Sequence, residues 1–385
     1  MIKAGSTFLI ILLFTACQPP EKTVTTVTEE LVDNEAFYPL EIKHAQKLKI
    51  EYHDQMAMVT ISEPFKGASE AIKYFLIPKG SAIPDTLLGR RVIQTPVERF
   101  VCTSTTHLPG IDMLGVTDRL VGFPSLQLVS SKHVKQRAKE GKVVDLGRDY
   151  NLNTELAIEL SPEVVMIFTL DGNYKHLSPL EKMGSNIVLN SDYLENTPLG
   201  RAEWIKFFGL LFRQEQVADS IFNGIETQYN EVITTVNAIE KDEPTSFCGI
   251  NYKGVWYMPG GDSWMGKFLR DARSSYLWKE DTSTGSLELS FETVYDRAQD
   301  ADIWINAHSF TSLQQLGDND ERYKAFNAYK NKMVYNSNAR VTKAGGNDYY
   351  ESGYSRPDIV LKDLAKIFHP ELFPEYNLYY FQKLN

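Results

Sequence analysis

Between Gln216 and Ile239 apolar residues recur at Val217, Ala218, Ile221, Phe222, Ile225, Tyr229, Val232, Ile233, Val236 and Ile239. Steps of three and four draw one stripe down a helix. The opposite face is polar, with Asp219, Asn223, Glu226 and Asn230. At 1.5 Å per residue the helix is roughly 36 Å long, about the width of a domain. A helix of that length reads as a spine, and its flanks decide what it joins.

From Arg91 onward the rhythm is strand, loop, helix. Short apolar runs at Phe100–Cys102, Leu120–Phe123, Val143–Leu146, Val164–Phe168 and Ile187–Leu189 are separated by turn residues or helical spacing. This predicts an α/β lobe with a largely parallel sheet. A helix over Arg201–Phe212 closes it, and the polar break Arg213–Gln216 precedes the spine. After Glu243–Pro244 the same rhythm returns at Phe247–Ile250, Val255–Tyr257, Ile303–Ile305 and Val334–Tyr335. Upstream, Leu48, Ile50, Tyr52, Met56, Met58 and Thr60 follow a period of two, so residues 36–90 read as a β-rich extension.

The two lobes repeat each other in detail. Asn153 opens a helical segment with Glu155 two places on and ends in a strand at Phe168; Ser290 opens another with Glu292 two places on and ends at Ile305. The distance from cap to strand end is the same in both. Such an internal repeat around a helix favours two pseudo-symmetric lobes, 91–215 and 242–385, with the spine at 216–241.

A chain of 385 residues with 43% hydrophobic content suits about two domains, and a net charge of -10 argues against nucleic acid. The N-terminus adds a third element. Its apolar run Phe8–Phe14 is too short to span a membrane, which takes about 20 residues, but fits a signal peptide over residues 1–16. Small residues before Cys17 resemble a lipobox, which makes Cys17 the expected lipidation site, followed by a flexible tether over 17–35. Cys102 and Cys248 each sit in a short apolar run on opposite sides of the spine, and read as buried free thiols.

Catalytic signatures fail. Gly261–Lys267 matches a phosphate loop until Phe268 stands where Ser or Thr must hold magnesium. There is no zinc spacing, no nucleophile elbow, and the histidines are scattered, so no catalytic residue, metal set or cofactor is assigned. What the chain offers is aromatic and small polar residues on loops after strands, where open α/β sheets bind ligands. In the first lobe the candidate contacts are Thr106, His107, Phe123 and Tyr174. In the second they are Trp256, Tyr257, Trp264, His308 and Tyr349.

Residues 91–374 resemble a class III periplasmic binding protein, the solute receptor of ABC importers for vitamin B12, ferric siderophores and haem. The resemblance rests on Thr103–His107 with Leu114–Gly115 and Leu120–Gly122, on Leu160–Val165, on Ser290–Glu292, and on Arg356–Leu364 running to His369–Phe373. It implies an α/β fold of two Rossmann-like lobes joined by a single long helix, here with an N-terminal β-rich extension. It further implies a non-enzymatic receptor, lipid-anchored in the cell envelope on the periplasmic or extracytoplasmic face. Such a receptor captures a metal chelate in an aromatic-lined cleft and delivers it to a dimeric permease. Glutamates matching Glu155 and Glu292 dock onto arginines of the two permease subunits. Three readings stand beside this one: a receptor for a bare metal ion, with only His107 and His308 as evident ligands, an envelope hydrolase on a two-lobed scaffold, and a scavenging or adhesion module without an importer.

Overall fold

The computed structural model describes residue 1 and residues 36–148, 151–240 and 242–385. The signal peptide, Cys17 and the tether lie outside the described residues. The spine is present as helix Glu215–Asn237, which buries Ala218, Phe222, Ile225, Tyr229, Val232 and Val236. That stripe packs between helix Ile205–Phe212, itself buried along its whole length, and helix Pro357–Phe368. Val217, expected on the stripe, is instead 41% exposed, because it lies about 100° round the helix from the buried Ala218 and off the covered face. The expected helix Arg201–Phe212 is broken into Pro198–Ala202 and Ile205–Phe212.

On one side of the spine five parallel strands run in the order Asn186–Leu189, Val164–Ile167, Phe100–Cys102, Leu120–Phe123 and Val144–Asp145. The central runs are apolar throughout because helices cover both faces. On the other side lie Ser275–Tyr276, Thr245–Cys248, Ile303–Ile305 and Val334–Asn336, all parallel, with Gln382–Lys383 antiparallel at the edge. The repeat read from the sequence holds at atomic level: Asn153 Oδ1 accepts from Leu156 N at 3.0 Å, and Ser290 Oγ accepts from Thr293 N at 3.1 Å. Cys102 and Cys248 end matching central strands as buried free thiols. Burial pushes both thiols up from their ordinary value.

The N-terminal extension is a sheet of its own. Leu48–His53, Met56–Ile61 and Ile72–Pro78 are antiparallel neighbours, and Val92–Thr95 joins in parallel. Two buried carboxylates fasten the segment before it. Glu203 accepts the backbone N–H groups of Lys43, His44 and Ala45, and Glu195 those of Gln46 and Lys47, all between 2.7 and 2.9 Å. Glu195 also accepts from Trp204 Nε1 at 3.1 Å, and the fully buried Lys206 lies 3.1 Å from Glu203. Tyr74 closes the seam from the sheet side, its hydroxyl accepting from Leu189 N at 2.9 Å. The extension is thereby built onto the first lobe.

Candidate ligand site at the lobe junction

The strand ends of both sheets carry loops that leave regular geometry. In the first lobe the chain turns after Cys102 into a short helix Thr105–His107, with Ser104 Oγ accepting from Thr106 N at 3.3 Å. In the second lobe Asn306 and His308 both adopt positive φ, 57° and 61°, directly after strand Ile303–Ile305. Such backbone is uncommon outside glycine and gathers at sites where a side chain must be aimed.

The structure brings Thr106, His107, Trp264 and Tyr349 together. The turn carrying Thr106 and His107 packs against helix Asp348–Glu351, which carries Tyr349. The Trp264 and Tyr349 rings are 6.2 Å apart, and Trp264 also meets Tyr354 edge-on at 4.9 Å. Arg201, from the first lobe, stands over both Trp264 and Tyr354 at 4.8 and 4.9 Å. Its guanidinium is aimed by the Tyr193 carbonyl, 2.8 Å away. Arg201 was not among the residues singled out in the sequence; an arginine beside Pro198–Gly200 carries no pattern that marks it.

Several polar atoms of this group are buried without a hydrogen-bond partner among the described residues: both ring nitrogens of His107, the Tyr349 hydroxyl and the Trp264 indole nitrogen. Buried polar groups are nearly always paired, so four orphaned atoms on three side chains meeting at one junction single it out. Burial lowers the His107 pKa to about 3, which keeps the imidazole neutral, and raises Tyr349 well above the ordinary phenol value.

The other candidates scatter. Trp256 is a correction: the strand Val255–Pro259 alternates, turning Trp256 inward onto Trp304 at 5.7 Å and Tyr257 outward, 43% exposed. The indole of Trp256 donates to the Cys248 carbonyl at 2.8 Å, so it is a satisfied core residue. Phe123 is likewise corrected; it ends its strand inside the core at 1% exposure. Tyr174 lines a separate hollow of about 140 Å³ on the first lobe, beside Thr103, Phe168 and Thr169. His308 is exposed, its Nδ1 2.8 Å from Ser309 Oγ. Glu155 and Glu292 both stand exposed in the first turn of their capped helices, with Arg322 3.8 Å from Glu292.

This architecture coincides with a family pattern. Residues 101–341 match the family described as periplasmic binding protein. The chain belongs to that family. It is 26% identical to an uncharacterized lipoprotein of Methanocaldococcus jannaschii, covering 89% of this chain and 85% of that one. It is 20% identical to an uncharacterized ABC transporter substrate-binding lipoprotein of Bacillus subtilis, covering 68% and 77%. A solved Staphylococcus epidermidis structure, described as a possible iron-binding periplasmic solute-binding protein, shares the fold with a TM-score of 0.56 at 19% identity, covering 71% of this chain and all of that one. As a member of the periplasmic binding protein family the chain is a binding component and not an enzyme. Among the described residues no helix is long and apolar enough to cross a membrane.

Proposed function

We propose that the chain is the lipid-anchored receptor of an ABC importer in the cell envelope, holding a bulky metal chelate of the cobalamin, ferric siderophore or haem kind at the lobe junction. The observation that carries the reading is the convergence of unpaired polar atoms from both lobes, His107 on one side and Trp264 and Tyr349 on the other, inside an aromatic frame. Large rigid faces with a few unmatched donors and acceptors suit a flat, polar-edged ligand. A bare ion fits less well. Among the described residues no group of three or more His, Cys, Asp or Glu side chains converges as a cage. Cys17 supplies the anchor in this reading, and Glu155 and Glu292 present one carboxylate per lobe to a dimeric permease.

The test is the visible spectrum of protein purified from its native envelope, followed by titration of the emptied protein with cobalamin, haemin and a ferric catecholate. One of these quenches tryptophan fluorescence, and Trp264→Ala weakens the binding. A colourless protein that none of the three quenches overturns the chelate reading.

A further inference from the structure

Residues 340–351 of the second lobe leave the body of the sheet and lie against the first lobe at three points. Thr342 Oγ1 reaches the Gln127 carbonyl at 3.4 Å. Gly346 passes so close to Leu128 that an ideally placed Cβ would lie 1.8 Å from its carbonyl oxygen. Glu351 then accepts the backbone N–H groups of Ser130 at 2.5 Å and Ser131 at 2.6 Å, one on each carboxylate oxygen. The segment is stiffened from within. Thr342 N bonds to Gly346 O at 2.7 Å, Val341 bridges to Asn347, and Arg340 Nε bonds to Asp348 at 2.6 Å. Gly345, with φ +91°, precedes the close approach, and Gly353, where a Cβ would meet the Tyr349 carbonyl, follows the helix.

We propose that residues 340–351 are a strap that closes the second lobe onto the first and covers His107, with Glu351 as its clasp. These two bonds tie one side chain of the strap to two consecutive backbone N–H groups of the first lobe. The helix carrying the clasp also carries Tyr349, and it packs on the turn that carries His107. Release of Glu351 therefore frees the cover over an imidazole that is wholly buried while the clasp holds. The device works whichever ligand the protein takes, and it places the opening at the junction, not in the spine.

His107 itself reports the state of the strap, because diethyl pyrocarbonate modifies only neutral, accessible imidazoles. In the full chain, mass spectrometry after brief treatment should show His107 unmodified, together with His369, which is 4% exposed and bonded to the Arg273 carbonyl. Glu351→Ala should raise the His107 rate by about tenfold or more, the effect of losing two hydrogen bonds, while His369 stays unreactive. Gly346→Ala, which drives the strap off Leu128 without touching the clasp, should do the same. If both variants leave His107 as unreactive as in the parent protein, the proposal fails. Equal gains at His107 and His369 would mean that the whole fold has loosened, and that outcome overturns it as well.

Discussion

The guanidinium of Arg201 lies 4.8 Å from the centre of the Trp264 ring and 4.9 Å from that of Tyr354, so one side chain of the first lobe is held between two aromatics of the second. Partly desolvated cation–π contacts are worth about 0.5–2 kcal/mol each. Arg201→Ala should lower the unfolding free energy by about 1–3 kcal/mol and shift Trp264 emission. Arg201→Lys should recover only part of it, because a point charge cannot lie flat against two rings. Urea titration of the three proteins decides; equal midpoints would remove Arg201 from the junction.

Glu203 is a harsher site. Its buried carboxylate accepts three consecutive backbone N–H groups and faces the fully buried Lys206. Removing it strands three backbone donors and takes one of two carboxylates from Lys206, which keeps Asp219 at 3.3 Å and the Glu41 carbonyl at 2.6 Å. Glu203→Ala should cost about 2–4 kcal/mol and make residues 36–47 the first point of proteolytic attack. Cleavage elsewhere first, with stability unchanged, would contradict the anchoring role.

The strap should respond to pH. Burial, only partly offset by the Ser130 and Ser131 N–H groups, raises the Glu351 pKa from 4.5 to about 7 in the closed form. Facing it from the first lobe are Lys132, His133, Lys135, Asp112 and the Cys102 thiol, and from the second Asp348, Arg340 and Arg356. The closed form binds the proton more tightly than an open one, so closure is strongest below the ordinary carboxylate value and is lost as pH rises through about 7. The His107 modification rate, divided by that of an exposed imidazole at the same pH, should be higher at pH 8 than at pH 6. Glu351→Gln should flatten that difference. A higher ratio at pH 6 in the parent protein would reverse the sign and refute the prediction.

Glu155→Arg or Glu292→Arg should cut uptake by about tenfold or more where the permease is limiting, with ligand affinity and fold unchanged, since exposed charges act on encounter and register. Normal transport by both variants would leave these residues as first-turn acids complementing a helix dipole.

Cys17→Ser should move the protein from membranes to the soluble fraction, or leave a precursor that keeps its first sixteen residues. Unaltered fractionation and migration would disprove the anchor.

The spine, both lobes and the paired caps at Asn153 and Ser290 were legible because each rests on periodicity or on a bond three residues long. The junction was legible only in part. Loop position singles out His107, Trp264 and Tyr349, which the structure brings together, but nothing local says that Tyr257 faces out and Trp256 in. That depends on which face of the hairpin meets Trp304. Glu351 meets Ser130 across 221 residues of chain, and no spacing encodes it. Glu203 and Lys206 did leave a signal: two charges three apart inside an otherwise apolar helical stretch, which an exposed helix would not need to hide.

The grip of Glu195 and Glu203 on residues 43–47 also fixes how a mechanical load enters the molecule. A pull arriving at residue 36 is delivered to the first lobe, and through the 2.6 Å contact of His44 with Glu226 to the spine. The second lobe carries none of that tension directly. With the lipid anchor proposed at Cys17, the first lobe would be the half held at the mooring, and the half bearing the strap and Trp264 the one left to swing.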